Sequence, residues 1–338
     1  MAWMKRYVRL AMMLGLALGL LAQPARAQLD HGTSAAAGVT MSVTTNPDPP
    51  LPRQPTLLTI TLKDAASGAP LTDLQVEHQR LLHLIVVTDD LSLFGHVHPD
   101  VAGSGQFRLS YTFPAPGAYH LYADFDSASK GAQAIGQPLV VAGDQPAAAP
   151  LVAGTTAVDA SGAEVQLSVD PATPRVGQPT QLRFHLTQND QPITDLGPYL
   201  GVAGHLVAIS QDLQEFLHTH PEMDMSMGGS GPSAVTGGMP ATSPEQTPGK
   251  SPGQMAGMAG SGAMAAMGPG SGTSGTASDA QHQGMDHGTM PAAPPDARFG
   301  PDVTFTLTFR QPGLHKVWGQ FSRDGDVITA PFVLNVAP

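Results

Sequence analysis

The sequence predicts an all-β protein: two tandem immunoglobulin-like β-sandwich domains, the second carrying a long disordered Met/His-rich insertion. Three observations lead there. The chain repeats itself, with His83 matched by His205 122 residues later. Both copies are built from short runs of alternating apolar and polar residues, bounded by Pro, Gly and Asp. One tract, 223–300, loses that alternation and is rich in Met, Gly and Ser.

The chain opens with a segment that belongs to neither copy. Lys5, Arg6 and Arg9 precede an apolar run over 10–22, and Ala25-Arg26-Ala27 has small-x-small spacing. Residues 1–27 therefore read as a secretory signal peptide, cut after Ala27. The apolar run is shorter than the ~20 residues a spanning helix needs. No membrane insertion of the mature chain is expected, and the expected location is the periplasm or the exterior. Residues 28–37 read as a flexible N-terminus.

The first sandwich is expected over 38–143. RQPTLLTITL (53–62) opens it, and GQPTQLRFHL (177–186) opens the second copy. Each has a Pro-Thr entry and then the period of two that marks a strand with one buried face. PLTDL (70–74) matches the turn PITDL (192–196). HLIVVTDDLSLFGHVHPD (83–100) aligns without a gap with HLVAISQDLQEFLHTHPE (205–222). FRLSYTFPAPGAYHLYADF (107–125) aligns with VTFTLTFRQPGLHKVWGQF (303–321), and both copies close on an apolar strand, QPLVVAG and APFVLNVAP. Val, Ile, Thr, Tyr and Phe recur and no helical period is sustained. Strands with one apolar face must cover it with a second sheet, hence the sandwich. Polar, Pro/Ala-rich 144–154 reads as a linker, and 155–338 as the second sandwich.

The insertion at 223–300 separates two strands of the second copy. It has too little to bury to offset the entropy of ordering, so disorder is expected there. A loop tolerates such length because closure entropy grows slowly.

Six of the 13 histidines occupy matched positions. They are His83, His96 and His98 in the first copy, and His205, His218 and His220 in the second. In an extended segment residues i and i+2 point to the same side, so each His-x-His pair shares a face. Three neutral imidazoles suit Cu, Zn, Ni or Fe. Candidates for a fourth ligand are Asp100 or Glu222, or the strand after the Pro-Gly turn, with Tyr119, His120 and Asp124 in the first copy and His315 and Gln320 in the second. His315 is counted with the metal candidates. The alternative is that these imidazoles only hydrogen-bond across loops. His78 and His185 lack histidine counterparts (Leu200 and Thr61) and read as ordinary strand or surface residues.

The insertion carries ten of the 15 methionines, sitting among Gly and Ser with no aromatics or leucines around them to pack against. Met223, Met225 and Met227 form one cluster; His282, Met285, His287 and Met290 form another. Thioethers favour Cu(I), and imidazole accommodates Cu(I) and Cu(II). Copper is thus the expected ion. Zinc is possible at the histidine sites but explains no methionine.

Composition removes other classes. There is no cysteine, so disulfides and thiolate metal sites are excluded. The net charge is −11, and four of the 16 basic residues lie in the signal while none of the 27 acidic ones do. Such a chain repels nucleic acid.

GHLVAIS with LHTHPE, followed by Phe, Gln-Pro-Gly and a strand, resembles YtkA-like and FixH-like extracytoplasmic β-sandwich domains. The Met/His tract is similar to those of periplasmic copper-resistance proteins, distantly the CopC type. That resemblance implies an exported sandwich that binds copper, partnered by an extracytoplasmic copper transport or resistance protein. The chain departs from the CopC type at the expected mature N-terminus, where Gln28 replaces a histidine.

The reading is therefore an exported copper-binding protein for resistance, sequestration or delivery, not an enzyme. The alternative is a structural or adhesive sandwich without metal. A metal-dependent enzyme ranks last, because HExxH and GxSxG are both absent.

Overall fold

The structure is a computed structural model and describes residues 34–36, 38–221 and 292–338. Every regular element among these residues is a strand. The first repeat contributes β1 (Ser34–Ala36), β2 (Val39–Asn46), β3 (Pro55–Asp64), β4 (Leu74–Gln75), β5 (His83–Thr88), β6 (Phe94–Val97), β7 (Asp100–Gly103), β8 (Gln106–Thr112), β9 (Gly117–Ser127) and β10 (Gly131–Val141). The second contributes β11 (Thr156–Val158), β12 (Glu164–Asp170), β13 (Pro179–Gln188), β14 (Gln191–Pro192), β15 (His205–Ser210), β16 (Phe216–Thr219), β17 (Asp302–Thr308), β18 (Gly313–Arg323) and β19 (Asp326–Val336).

These strands form four antiparallel sheets in two pairs, a duplicated β-sandwich-like architecture. In the first repeat the sheets run β1-β2-β3-β8-β7 and β10-β9-β5-β6, with β4 also on β9. In the second they run β11-β12-β13-β14, with β17 also on β13, and β16-β15-β18-β19. The order β2-β3-β8 recurs as β12-β13-β17, and β10-β9-β5-β6 as β19-β18-β15-β16.

The period of two explains the layers. In β13, Thr180, Leu182, Phe184 and Leu186 are buried while Pro179, Gln181 and Arg183 are exposed. Leu182, Phe184 and Leu186 pack with Phe305 and Leu307 of β17, and meet Leu206, Ala208, Val317, Phe321 and Phe332 of the other sheet. Each such side chain contributes about 2 kcal/mol on burial. Phe184 lies over Gly319, where a Cβ would sit 2.7 Å from its ring. β5 and β15 break the alternation, since all six residues of each are buried.

The described residues fall into two compact units that do not follow the repeats strictly. The first takes the chain up to Thr72, then Leu82–Asp124 and Ala134–Ala149. The second takes Asp73–Leu81, Phe125–Gln133 and everything from Pro150 on. Residues 292–300, the end of the stretch read as insertion, are described. Phe299 there bridges to Leu196 and packs against the second core. Among the described residues no helix is long and apolar enough to cross a membrane.

Candidate metal centre

Each histidine triad follows from the register of one hairpin. β5 pairs with β6 so that Ile85 stands opposite His96 and Leu84 opposite Val97. One further step sets His83 opposite His98, just past the strand end. Opposed residues project to the same face, as do residues two apart. In the second repeat Val207 stands opposite His218 and Leu206 opposite Thr219, so His205 meets His220 in the same way. A slip of one residue would send both His-x-His pairs to the other face.

The turn after each inner strand holds that register. Thr88 Oγ1 donates to Asp90 Oδ1 at 2.6 Å, and the Ser92 amide donates to the same oxygen at 3.0 Å. Ser210 Oγ donates to Asp212 Oδ1 at 2.6 Å, and the Gln214 amide at 3.1 Å. Leu91 (φ 56°) and Leu213 (φ 63°) adopt the left-handed conformation rarely taken by bulky residues. Hydrogen bonding by Ser210 is the chief reason that the Asp212 carboxyl sits below its usual range. At Asp90 burial pushes upward, but hydrogen bonds from Thr88 and Ser92 outweigh it and the net shift is downward. Both caps thus stay ionised and remain strong acceptors.

The rings converge. His83 Nδ1 is 3.1 Å from His96 Nε2 and 3.2 Å from His98 Nε2. His205 Nδ1 is 3.2 Å from His218 Nε2 and 3.1 Å from His220 Nε2. The innermost histidine of each triad is buried, at 2% exposure for His83 and 0% for His205. The other four are half-buried. A neutral ring nitrogen offers either one proton or one lone pair. It cannot complete two linear hydrogen bonds at once, yet each Nδ1 has two nitrogen neighbours. A single cation satisfies the set. Nitrogens 3.1–3.2 Å apart, each ~2.05 Å from an ion, subtend an angle of about 100° there, near tetrahedral.

The second triad shows how one ring is oriented. His205 Nε2 lies 3.1 Å from the Tyr199 carbonyl. Because a carbonyl only accepts, Nε2 carries the proton and Nδ1 presents its lone pair to His218 and His220. Donation of the far N–H to a backbone oxygen is the outer support typical of metal-ligating histidines. The Tyr199 phenol is pushed upward by burial, so it stays protonated beside the ring.

Other expected ligands lie elsewhere. His315 stands opposite Ser210, whereas Gln320 stands opposite His205. Five residues of strand, about 17 Å, separate them. Both His315 ring nitrogens are taken by protein oxygens, Gly313 O at 3.1 Å and Glu215 Oε2 at 2.8 Å. His315 therefore does not join the triad. Its counterpart Tyr119 also serves its turn, donating to Ala115 O at 2.8 Å. His120 is opposite Val87, well along the strand from His83, and stacks near Tyr122. Asp100 has crossed into β7, exposed and opposite Arg108. Asp124 and Gln320 do stand opposite His83 and His205, and Gln320 Nε2 donates to Thr329 Oγ1. Glu222, Met223, Met225, Met227, His282, Met285, His287 and Met290 lie outside the described residues.

One pair of ligand-type residues escaped the sequence reading. Glu77 and Arg80 exchange backbone hydrogen bonds of 2.8 and 2.9 Å around His78 and Gln79, both with positive φ, 45° and 67°. This is the two-residue hairpin turn in which both central residues are left-handed. Its tip lays the His78 ring 3.6 Å from that of His220, centroid to centroid. Glu77, His78 and His220 bring one ligand atom each within 4.8 Å of one another, close enough to hold a metal ion. Comparison of the copies hid His78 because Leu200 replaces it. A hairpin reading of Glu-His-Gln-Arg would have exposed it.

Known proteins place the chain in a family. It matches the family described as Domain of unknown function (DUF8832) over residues 34–136, 156–245 and 280–338. The chain belongs to this family. The match spans both repeats, including every histidine of the triads. No curated protein matches. Solved structures with some likeness include red sea bream transglutaminase (8% identity, 90% of this chain and 32% of that one, TM-score 0.21). Others are the Escherichia coli alpha-2-macroglobulin activated by porcine elastase (12%, 88% and 23%, 0.21) and the Escherichia coli adhesin FdeC (15%, 91% and 66%, 0.19). The chain spans a third or less of the transglutaminase and the macroglobulin, and likeness at these scores carries no argument about fold or activity.

Proposed function

We propose that this is an exported copper-binding protein, serving resistance, sequestration or delivery of the metal, and that it binds rather than catalyses. The observation that carries the reading is the meeting of three imidazole nitrogens in each repeat, with Nδ1 of His83 and of His205 each within 3.2 Å of two partners. The clustered side chains can coordinate a metal ion. Copper is favoured over zinc by the methionines of 223–290, whose thioethers are soft donors. Export rests on the signal-like residues 1–27, and immunoglobulin-like layering on the repeated strand order. The resemblance to YtkA-like, FixH-like and CopC-type proteins points the same way, with an extracytoplasmic copper transport or resistance protein as partner. In that role the triads hold the ion on rigid strands while the methionine tract raises its local concentration through many weak contacts.

The test is titration of the mature protein with Cu(I) without oxygen and with Cu(II) in air. It is repeated after deletion of 223–290, and after replacement of His96, His98, His218 and His220 by alanine. The deletion should remove mainly Cu(I) capacity, and the four-alanine protein the tightest Cu(II) binding, with the β-sheet circular dichroism kept. Equal stoichiometry and affinity in all three proteins would overturn the assignment.

A further inference from the structure

The second triad has a neighbour that the first repeat's pattern does not predict. Its outer ring, His220, belongs to two groups at once. On one side its Nε2 faces His205 Nδ1 at 3.1 Å. On the other it lies with Glu77 and His78, the three ligand atoms within 4.8 Å of one another. The hairpin that delivers Glu77 and His78 is part of the same compact unit as His205, His218 and His220.

The hairpin is built to a demanding shape. Its central residues are His78 and Gln79 in the left-handed region, where Gly, Asn or Asp are the usual occupants. Non-glycine residues there persist where surrounding structure enforces them. The equivalent turn of the second repeat is Tyr199 to Val202, closed by the same pair of backbone bonds. Leu200 and Gly201 are its left-handed residues, and neither offers a donor. The shape is thus shared, but ligand chemistry sits on only one of the two turns. Glu77 and His78 are half-buried, with side-chain exposures of 20% and 13%, so an ion between them would be partly desolvated yet open to solvent. His205, by contrast, is sealed at 0%.

We infer that Glu77, His78 and His220 form an outer docking position for a divalent ion, through which metal enters and leaves the buried His205–His218–His220 centre. The proposal rests on the triads being metal sites. Two imidazoles and one carboxylate suit Zn2+ or Cu2+ better than Cu(I), which prefers sulfur and nitrogen. His220 is the ligand common to both positions. An ion held by Glu77, His78 and His220 reaches the inner centre by exchanging Glu77 and His78 for His205 and His218, never losing its hold on His220. No electron is transferred and no proton need be released from His205, whose Nδ1 already presents a lone pair.

The test uses the full mature chain and Zn2+ alone. Wild type, Glu77→Gln, Glu77→Gln/His78→Ala and His205→Ala/His218→Ala are titrated calorimetrically. Loss of bound Zn2+ to excess chelator is followed by stopped flow. The double hairpin variant should keep the Zn2+ stoichiometry of the inner centre, because one neutral His220 ring holds one ion at a time. Its release from the second centre should slow by on the order of tenfold, the scale set by removing a supporting metal contact. Glu77→Gln, which keeps the imidazole stack, should show a smaller change in the same direction. Unchanged release in both hairpin variants, with wild-type circular dichroism, would overturn the docking position. If His205→Ala/His218→Ala also binds like wild type, the triad reading itself fails, and that result is separable from the first.

Discussion

His205 Nδ1 and His220 Nε2 stand 3.1 Å apart across the β15–β16 hairpin, a distance that serves equally for one hydrogen bond or for two ligands on one ion. Metal should therefore bind the folded state and stabilise it. A single site at a hundredfold excess over Kd adds about 2.7 kcal/mol. Chemical denaturation of the mature protein with and without Cu2+ or Zn2+ should show a gain of that size, reversed by chelator. His83→Ala/His205→Ala should show little of it, because each substitution removes the nitrogen that contacts two others.

The aspartate caps should matter to both stability and affinity. Asp212→Ala removes the acceptor for Ser210 and for the Gln214 amide, and Asp90→Ala its equivalents. Each should destabilise by about 1–2 kcal/mol. Because the turn sets which face carries His-x-His, metal affinity of the same hairpin should fall as well, which titration of each single variant reads directly.

Gly204 precedes His205 where the chain has no room for a side chain. A Cβ there would meet the Gln320 carbonyl at 2.7 Å, and backbone cannot swing away as a side-chain tip can. Gly204→Ala should destabilise by about 1–3 kcal/mol and displace His205 from its partners. Gly162→Ala, with open space around its Cβ, isolates the conformational effect, since its φ of 81° also strains alanine. A smaller loss at Gly162, with metal binding kept, is the expected contrast in the same denaturation and titration series.

Glu215 should be costly to remove. It is buried and accepts from the Arg310 amide at 2.7 Å, the Gln311 amide at 3.1 Å and His315 Nε2 at 2.8 Å. Glu215→Ala leaves three donors behind and should destabilise by about 3–5 kcal/mol. Tyr119→Phe at the matching turn loses the bond donated to Ala115 O and the longer one accepted from the Ala115 amide, and should cost about 1 kcal/mol. Urea midpoints of the two variants give the comparison.

Acid should weaken the first unit through His120. Burial lowers its pKa from the ordinary 6.5. The neutral ring is thus the folded state's preferred form, and the associated stability is complete above 6.5 and lost as pH falls through the lowered value. His120→Phe removes that contribution. The stability difference between variant and wild type should therefore shift in the variant's favour between pH 7.5 and 5, as measured by urea denaturation at both.

Much of this was legible in the residues. The offset repeat and the period of two foretold the strands around Leu182 and Phe184. His-x-His spacing foretold a shared face, and the proline after it the strand end. What escaped depended on register. His315 sits on the strand beside His205 in both readings, but pairing with Ser210 puts it at the far end, and a sequence does not display which residues are opposite. His78 escaped for another reason. Matching the copies exposes what they share, whereas its contact with His220 comes from a feature they do not share. The methionine clusters have no local pattern to translate into geometry.

The interleaving of the second unit has a practical corollary. Asp73–Leu81 and Phe125–Gln133 lie within the first repeat of the gene but belong to the second unit. A fragment cut at Pro150 would arrive without them, and so without Glu77 and His78. The two copies are no longer separable by a single scission, and the half beginning at Pro150, expressed alone, should inherit an incomplete body.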